Sequence, residues 1–329
     1  MLKKLLLEQY GLLADTIRKS DVGAGSDTYF VTCGKQRYVL KFPSESEINQ
    51  PELEPALCAY LNEKGIPACR FLRNREGSTL SKDDEGRVFH LQEFFEGEMY
   101  ALNAAPDWFL SESAGMLGRI HTALKEYQGL PVGIGEGFFR HMTPEKALRS
   151  YQKSLMIAEK QSDPECAEDL RYRIGLMERF PAYHFDLSKL TCANTHGDYF
   201  ISQIICGKDS IRAVIDWTTA CIHPVIWEIM RSYVYASPKC AEGSIDIDEF
   251  LAYTAAYMET APLMPEDIQA MAALFYYQIA VCYYYGQYYA STADNREIYL
   301  HQAKFSTKLL RWFEAHGEEL RRRLEERFL

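Results

Sequence analysis

The sequence predicts an α+β chain of two lobes: a small antiparallel β-sheet lobe with one helix over 1–97, then a larger α-helical lobe over 98–329. Three observations predict it. β-forming residues fill 20–42 and 88–94. Helical apolar spacing dominates the chain after residue 108. The length, 329 residues, exceeds what one small domain needs. An apolar content of 47% with 20 glycines and 13 prolines excludes disordered, collagenous and low-complexity classes. Forty-six acidic against 36 basic residues give a formal charge of -10. That balance argues against a nucleic-acid binder, which needs a cationic surplus to neutralise phosphates. It favours cationic small molecules or a metal-bridged phosphate.

Met1 to Leu7 holds two lysines and four leucines, but Glu8 and Gln9 interrupt the apolar run, so an amphipathic helix is expected and not a signal peptide. Thr28 to Thr32 and Tyr38 to Phe42 read as strands around the Gly34-Lys35 turn. Pro51 to Lys64 reads as a helix, with Leu53, Leu57, Tyr60 and Leu61 at helical spacing and Gly65 as its stop. Phe71-Leu72-Arg73 and Val88 to Phe94 read as two more strands around an acidic turn at Lys82 to Gly86. Trp108 to Tyr127, 144–162 and 163–180 read as helices. Leu190 to Ile215 is strand-rich and turns at Gly207-Lys208-Asp209. The remainder, 225–329, reads as helical, and Leu309 to Phe328 as a solvated amphipathic helix.

The nine cysteines form no CxxC pair, which argues against a metal site or a disulfide framework and for reduced, buried thiols. Ala270 to Tyr289 is apolar enough to raise the question of a membrane span. Gln278, Gly286, Gln287 and seven tyrosines make it a buried helix instead. A cytoplasmic protein, monomeric or homodimeric, with no nucleic-acid or membrane partner, is expected.

Four separated features carry chemistry. Val22-Gly23-Ala24-Gly25-Ser26 lies between strand-like runs, where glycines let backbone N–H groups approach a phosphate; a plain hairpin turn has the same look. Lys41 sits inside the apolar strand Tyr38 to Phe42 and faces either water or an anion; held by a carboxylate of the following helix, it could grip nucleotide phosphates. Asp198 in Thr195-His196-Gly197-Asp198 could accept or orient a hydroxyl proton, or serve turn chemistry. Asp216 ends the apolar strand Ala213-Val214-Ile215, where a carboxylate is costly unless paired or metal-bound. It lies 18 residues after Asp198, and the intervening hairpin can bring both carboxylates to one site.

In this order, glycine turn, strand lysine, helix glutamate, HGD and IDW, the chain resembles the aminoglycoside phosphotransferase and choline kinase superfamily, the small-molecule branch of the protein-kinase-like fold. The resemblance covers roughly 15–235. It implies a bilobal protein-kinase-like fold and transfer of the γ-phosphate of ATP, or GTP, to a hydroxyl of an aminoglycoside, amino alcohol or sugar-like acceptor, with Mg2+. Lys41 would hold the α/β-phosphates, under the Gly23, Gly25 and Ser26 turn. Glu54, which precedes Leu61 by seven residues as the family's glutamate precedes its leucine, would pair with Lys41. Gln92, Glu93, Phe94 and Phe95 would meet the base at the hinge. Asp198 would be the catalytic residue and Asp216 the main Mg2+ ligand. The family's second metal ligand, an asparagine, is here Gln203, which keeps the amide oxygen on a chain one methylene longer. That departure motivates the alternative, a catalytically weak nucleotide-binding pseudokinase or a scaffold like the superfamily's spore-coat members. Gly197 and the short segment from Asp216 to Pro224 argue against a protein kinase.

The family's acceptor binds on the C-terminal helices. Trp217, Glu228, Tyr277 and Tyr284 are the candidates there. Tyr277, Val281, Tyr284 and Tyr288 fall on one helical face, as an aromatic wall or as core. Glu228 would bind an acceptor amine or, more simply, Arg231.

Overall fold

The computed structural model describes residues 2–20, 26–43, 50–291 and 296–329. In chain order its elements begin with α1 (Leu2–Tyr10), β1 (Thr16–Lys19), β2 (Asp27–Cys33), β3 (Gln36–Phe42), α2 (Leu53–Glu63), β4 (Ser81–Lys82) and β5 (Val88–Glu93). Then come α3 (Phe109–Leu124), α4 (Glu136–His141), α5 (Pro144–Lys160), α6 (Pro164–Glu178), β6 (Cys192–Thr195), β7 (Ile204–Cys206), β8 (Ile211–Val214) and β9 (Cys221–Pro224). The helices α7 (Val225–Ala236), α8 (Ile247–Met258), α9 (Pro265–Ala280), α10 (Tyr284–Ala290) and α11 (Arg296–Phe328) complete the chain. It splits into two compact units, Met1–Met99 with Gln203–Thr219, and Tyr100–Ser202 with Ala220–Leu329. No helix among the described residues is long and apolar enough to cross a membrane.

The first unit is built on a five-stranded sheet of order β1-β2-β3-β5-β4, antiparallel throughout. Its period of two sorts the side chains. Tyr38, Leu40 and Phe42 of β3 and Phe89 and Leu91 of β5 are buried with Leu5 and Leu6 of α1 in one apolar cluster. Lys41 therefore takes the other face, opposite His90 in register. The unit carries both helices read from the sequence, α1 at the amphipathic start and α2, so the sheet lobe holds more than the single helix of its fold class. Phe71-Leu72-Arg73 forms a single bridge, Phe71 to Gln92, in place of the expected strand. Asn74 ends it: its Oδ1 accepts from the Glu76 and Ser78 amides at 3.0 and 2.9 Å and turns the chain away.

A single cut near residue 97 does not describe the chain, because 203–219 groups with the first unit. The β7–β8 hairpin is tied there by bonds Glu98 N to Cys206 O (2.9 Å), Cys206 N to Glu98 O (2.8 Å) and Val214 N to Pro67 O (2.8 Å). Gly97 permits that approach: a Cβ on it would stand 2.5 Å from Cys206 O.

In the second unit, β6 pairs with β9, a strand the sequence did not suggest. Proline at the first turn and a capping oxygen start the next two helices. Thr143 Oγ1 accepts from Lys146 N for α5, and Asp163 Oδ1 from Cys166 N for α6. The expected continuous helix over Ala270 to Tyr289 is broken between Ala280 and Tyr284. The buried Tyr151 hydroxyl lies 2.6 Å from Ala280 O and 2.8 Å from Cys282 O, and buried Arg173 donates to Ile279 O at 3.2 Å. The freed carbonyls are thus satisfied and the break is stable. The shared face of Tyr277, Tyr284 and Tyr288 does not survive it. In α11, Leu309, Leu310, Phe313, Leu320 and Leu324 are buried along one stripe, the apolar side of the amphipathic helix expected there.

Candidate active site

The first unit gathers residues from the two ends of its sequence. Lys41 Nζ donates to Asp216 Oδ1 at 2.9 Å, across 175 positions. Thr218 Oγ1 donates to the same oxygen at 3.0 Å. Asp216 has φ 61°, a left-handed conformation that aspartate tolerates better than most residues and that marks a constrained position. The next amide, Trp217 N, donates to Glu54 Oε1 at 3.1 Å, so buried Glu54 on α2 holds the backbone directly after Asp216. His90 Nε2 lies 3.9 Å from Glu54 Oε2, beyond hydrogen-bond reach, and both ring nitrogens of this buried histidine lack a hydrogen-bond partner among the described residues. Burial above all, and then the Lys41 cation, push its pKa down to about 3, against the pull of Asp216.

Trp217 does not line an acceptor pocket. Its side chain is fully buried and its Nε1 donates to Val214 O at 3.0 Å. Gln203 stands across the hairpin, where Ile215 N donates to its carbonyl at 2.9 Å, one residue from Asp216. No group of three or more His, Cys, Asp or Glu side chains among the described residues forms a metal site. Mg2+ does not need one, since one or two carboxylates suffice when phosphate oxygens supply the rest, and the Asp216 carboxylate is a hard donor that suits it. Gly23 and Gly25 lie outside the described residues; Ser26 directly precedes β2. At the hinge, Gln92 is buried, Glu93 N donates to Arg70 O (2.8 Å) and Phe94 N to Arg37 O (3.2 Å). The Arg37 guanidinium sits 3.7 Å above the Phe94 ring.

The second unit holds the HGD loop. β6 ends at Thr195, Gly197 takes φ 82°, and the Asp198 amide donates to His196 Nδ1 at 3.2 Å. Helix α7 grips the loop twice. Glu228 Oε1 accepts from Tyr199 N at 3.3 Å while Oε2 lies 2.9 Å from His121 Nε2. One turn on, Arg231 reaches Asp198 Oδ1 with Nε at 3.1 Å and Nη2 at 2.5 Å.

Glu228 is therefore neither an acceptor ligand nor the partner of Arg231, because it is fully buried and both its oxygens are occupied. Burial works against its charge, but the His121 hydrogen bond and nearby imidazoles outweigh it and hold the carboxyl down at about 2. Tyr277 is buried too: its hydroxyl donates to Met142 O at 2.8 Å, and its ring packs 5.6 Å from Phe139 and 5.9 Å from Phe180. Tyr284 joins the surroundings of Asp198, within electrostatic reach of both Arg231 and Asp198. The sequence offers Arg231 only as a partner for Glu228. A signal for it was present: Trp227 and Tyr235 sit four positions to either side, on the same helical face.

The fold is protein-kinase-like. The chain belongs to the phosphotransferase enzyme family, whose model matches residues 16–263. It is similar to a homoserine kinase of Zymomonas mobilis, 22% identical over 214 residues that span 64% of this chain and 62% of that kinase. Among solved structures, a microcompartment-associated aminopropanol kinase superposes with a TM-score of 0.65 at 12% identity, covering 96% of this chain and 98% of its own. A spectinomycin phosphotransferase in complex with ADP and spectinomycin superposes at 0.64 and 15%, covering 97% and 98%.

Proposed function

We propose that this protein transfers the γ-phosphate of ATP, or of GTP, to a hydroxyl of a small-molecule acceptor in the cytoplasm. One observation carries the reading: Lys41, Glu54 and Asp216, far apart in sequence, meet in the first unit through a 2.9 Å ion pair and a 3.1 Å backbone bond. In this reading Lys41 moves from Asp216 to the α/β-phosphates when nucleotide binds, and Glu54 keeps the Asp216 backbone in place. Asp216 and Gln203 would hold Mg2+, which when bound neutralises charge on the transferring phosphate. The Glu93 and Phe94 amides are already committed, so the base would be met by the backbone near Phe95, with Gly23, Gly25 and Ser26 over the phosphates. Asp198 would orient the acceptor hydroxyl and take its proton.

The relatives' names motivate the acceptor panel: homoserine, aminopropanol, spectinomycin, further aminoglycosides and sugars. The test is ADP release with Mg·ATP against each. Asp198→Asn is expected to lower the stimulated rate by about 10²- to 10⁴-fold while ATP still binds. No stimulation by any acceptor, with Asp198→Asn equal to wild type, overturns the reading. Gln203 favours a second one: a thermal shift with Mg·ATP but no turnover would identify a nucleotide-binding pseudokinase.

A further inference from the structure

We propose that Arg231 is a positioning residue for this reaction: it fixes Asp198 so that Oδ2, and not Oδ1, receives the acceptor hydroxyl's proton. The inference rests on the phosphotransferase reading above. Nε and Nη2 of Arg231 both donate to Oδ1, at 3.1 and 2.5 Å. Two charge-assisted donors on one oxygen occupy its lone pairs. Among the described residues Oδ2 takes no hydrogen bond, and the Asp198 side chain keeps 26% exposure. Oδ2 is thus the atom available as base. The acceptor oxygen would form its bond to the γ-phosphorus as the bond to the bridging oxygen breaks, the electron pair leaving with the nucleoside diphosphate. The hydroxyl proton passes to Oδ2 and returns to solvent after product release.

The fork is itself locked. Helical spacing places Trp227 and Tyr235 one turn before and after Arg231, with ring centroids 5.5 and 4.9 Å from Cζ; Phe200, two residues after Asp198, adds a third ring at 5.0 Å. Tyr284 stands within electrostatic reach of the same guanidinium. Three ring faces favour a cation at this place and hold the planar guanidinium among them, so the fork is aimed before any acceptor arrives. This also reassigns the aromatic residues around α7 and Tyr284. Their cage already contains the protein's own cation, so an acceptor ammonium is bound elsewhere.

The test uses the full chain and two readouts. Labelling of Asp198 by a water-soluble carbodiimide with glycine ethyl ester, followed by peptide mass spectrometry, needs no acceptor. Arg231→Met is expected to speed it about tenfold, Arg231→Lys less, and added methylguanidine is expected to restore protection by refilling the cage. Equal labelling in wild type and both variants overturns the proposal; if the methionine variant does not fold, Arg231→Lys decides. With any acceptor found active, Arg231→Met is expected to lower kcat about 100-fold, with the KM for ATP within about threefold, and methylguanidine to recover part of kcat. An equal loss in both constants without rescue means a purely structural arginine and also overturns it. If wild type phosphorylates nothing, the phosphotransferase reading fails while the labelling result still decides the clamp.

Discussion

Glu228 shows how a residue's chemistry is set by partners remote in sequence. Its carboxylate is fully buried, 2.9 Å from His121 at 107 positions' distance, and accepts the amide directly after Asp198. The Tyr257 hydroxyl lies 2.8 Å from the other His121 nitrogen, so the imidazole is held on both sides. Removing the charge leaves a buried polar group poorly paired. Glu228→Gln is expected to lose about 3 kcal/mol of stability in urea unfolding. Glu228 and His121 substitutions together should be less than additive. Any fall in turnover should come through kcat, as the loop loses its anchor, and acceptor KM should hold. A variant of wild-type stability with a raised acceptor KM would return Glu228 to the acceptor. No local pattern marks such a residue. Lys41, Asp198 and Asp216 were legible because each sits in a short motif whose order along the chain is informative. Glu228 depends on what α7 packs against, while Arg231 has a partial signal in Trp227 and Tyr235 on its own face.

At the scale of elements, the sequence reading recovered the strands of β2, β3 and β5 and the helices α2, α3, α5 and α6, where periodicity, proline starts and capping residues agree. It failed where tertiary contacts overrule local pattern. The helix broken between Ala280 and Tyr284 reads as continuous because the groups that satisfy the freed carbonyls, Tyr151 and Arg173, come from α5 and α6. β1 and β9 are four residues each and exist through their partners β2 and β6. Helix α3 shows the reverse, a local residue whose identity follows from a remote neighbour. A Cβ on Gly118 would meet Thr260 Oγ1 at 2.2 Å and Tyr257 O at 2.7 Å, and Thr122 one turn on donates to Thr260 O at 2.9 Å. Glycine there lets α3 lie against the end of α8, although it weakens the helix itself. Gly118→Val is therefore expected to cost about 2 to 3 kcal/mol in urea unfolding, despite the better β-carbon packing valine brings elsewhere. A neutral result would mean that α8 can shift without loss.

For the whole molecule, the -10 charge said little about the site, while two neutral buried histidines, one in each unit, make a sharper statement about acid stability. In the second unit Thr195 Oγ1 donates to Cys221 O at 2.9 Å, so it must accept from His223 Nε2, also at 2.9 Å; His223 Nδ1 is then left to accept from the Cys221 thiol at 3.4 Å. A protonated ring could keep that contact only by reversing it, with Nδ1–H donating to the sulfur, a weak acceptor. Burial first, with nearby cationic groups, lowers the His223 pKa to about 4, as burial and Lys41 lower that of His90 to about 3. Above pH 6.5 both rings are neutral whether the chain is folded or not, and neither affects stability. As pH falls through 6.5 the unfolded chain binds protons that the folded one refuses, so stability falls until about pH 4 for His223 and about pH 3 for His90. At about 1.36 kcal/mol per pKa unit, each histidine takes away about 2 to 3 kcal/mol between pH 6.5 and 4.5. Over that interval the depressed Glu228 carboxyl adds little, because its own loss begins as pH falls past 4.5. His90→Leu removes a titrating ring with two unpartnered nitrogens and keeps an apolar side chain against Phe71, whose ring lies 4.8 Å away. The variant should be as stable as wild type or more so at pH 7.5, and its loss on acidification to pH 4.5 should be smaller by about 2 to 3 kcal/mol. Urea unfolding at four pH values between 7.5 and 4.5 reads both quantities, and parallel stability curves for the two proteins would show that His90 already carries its proton, or a partner for it, in the folded state.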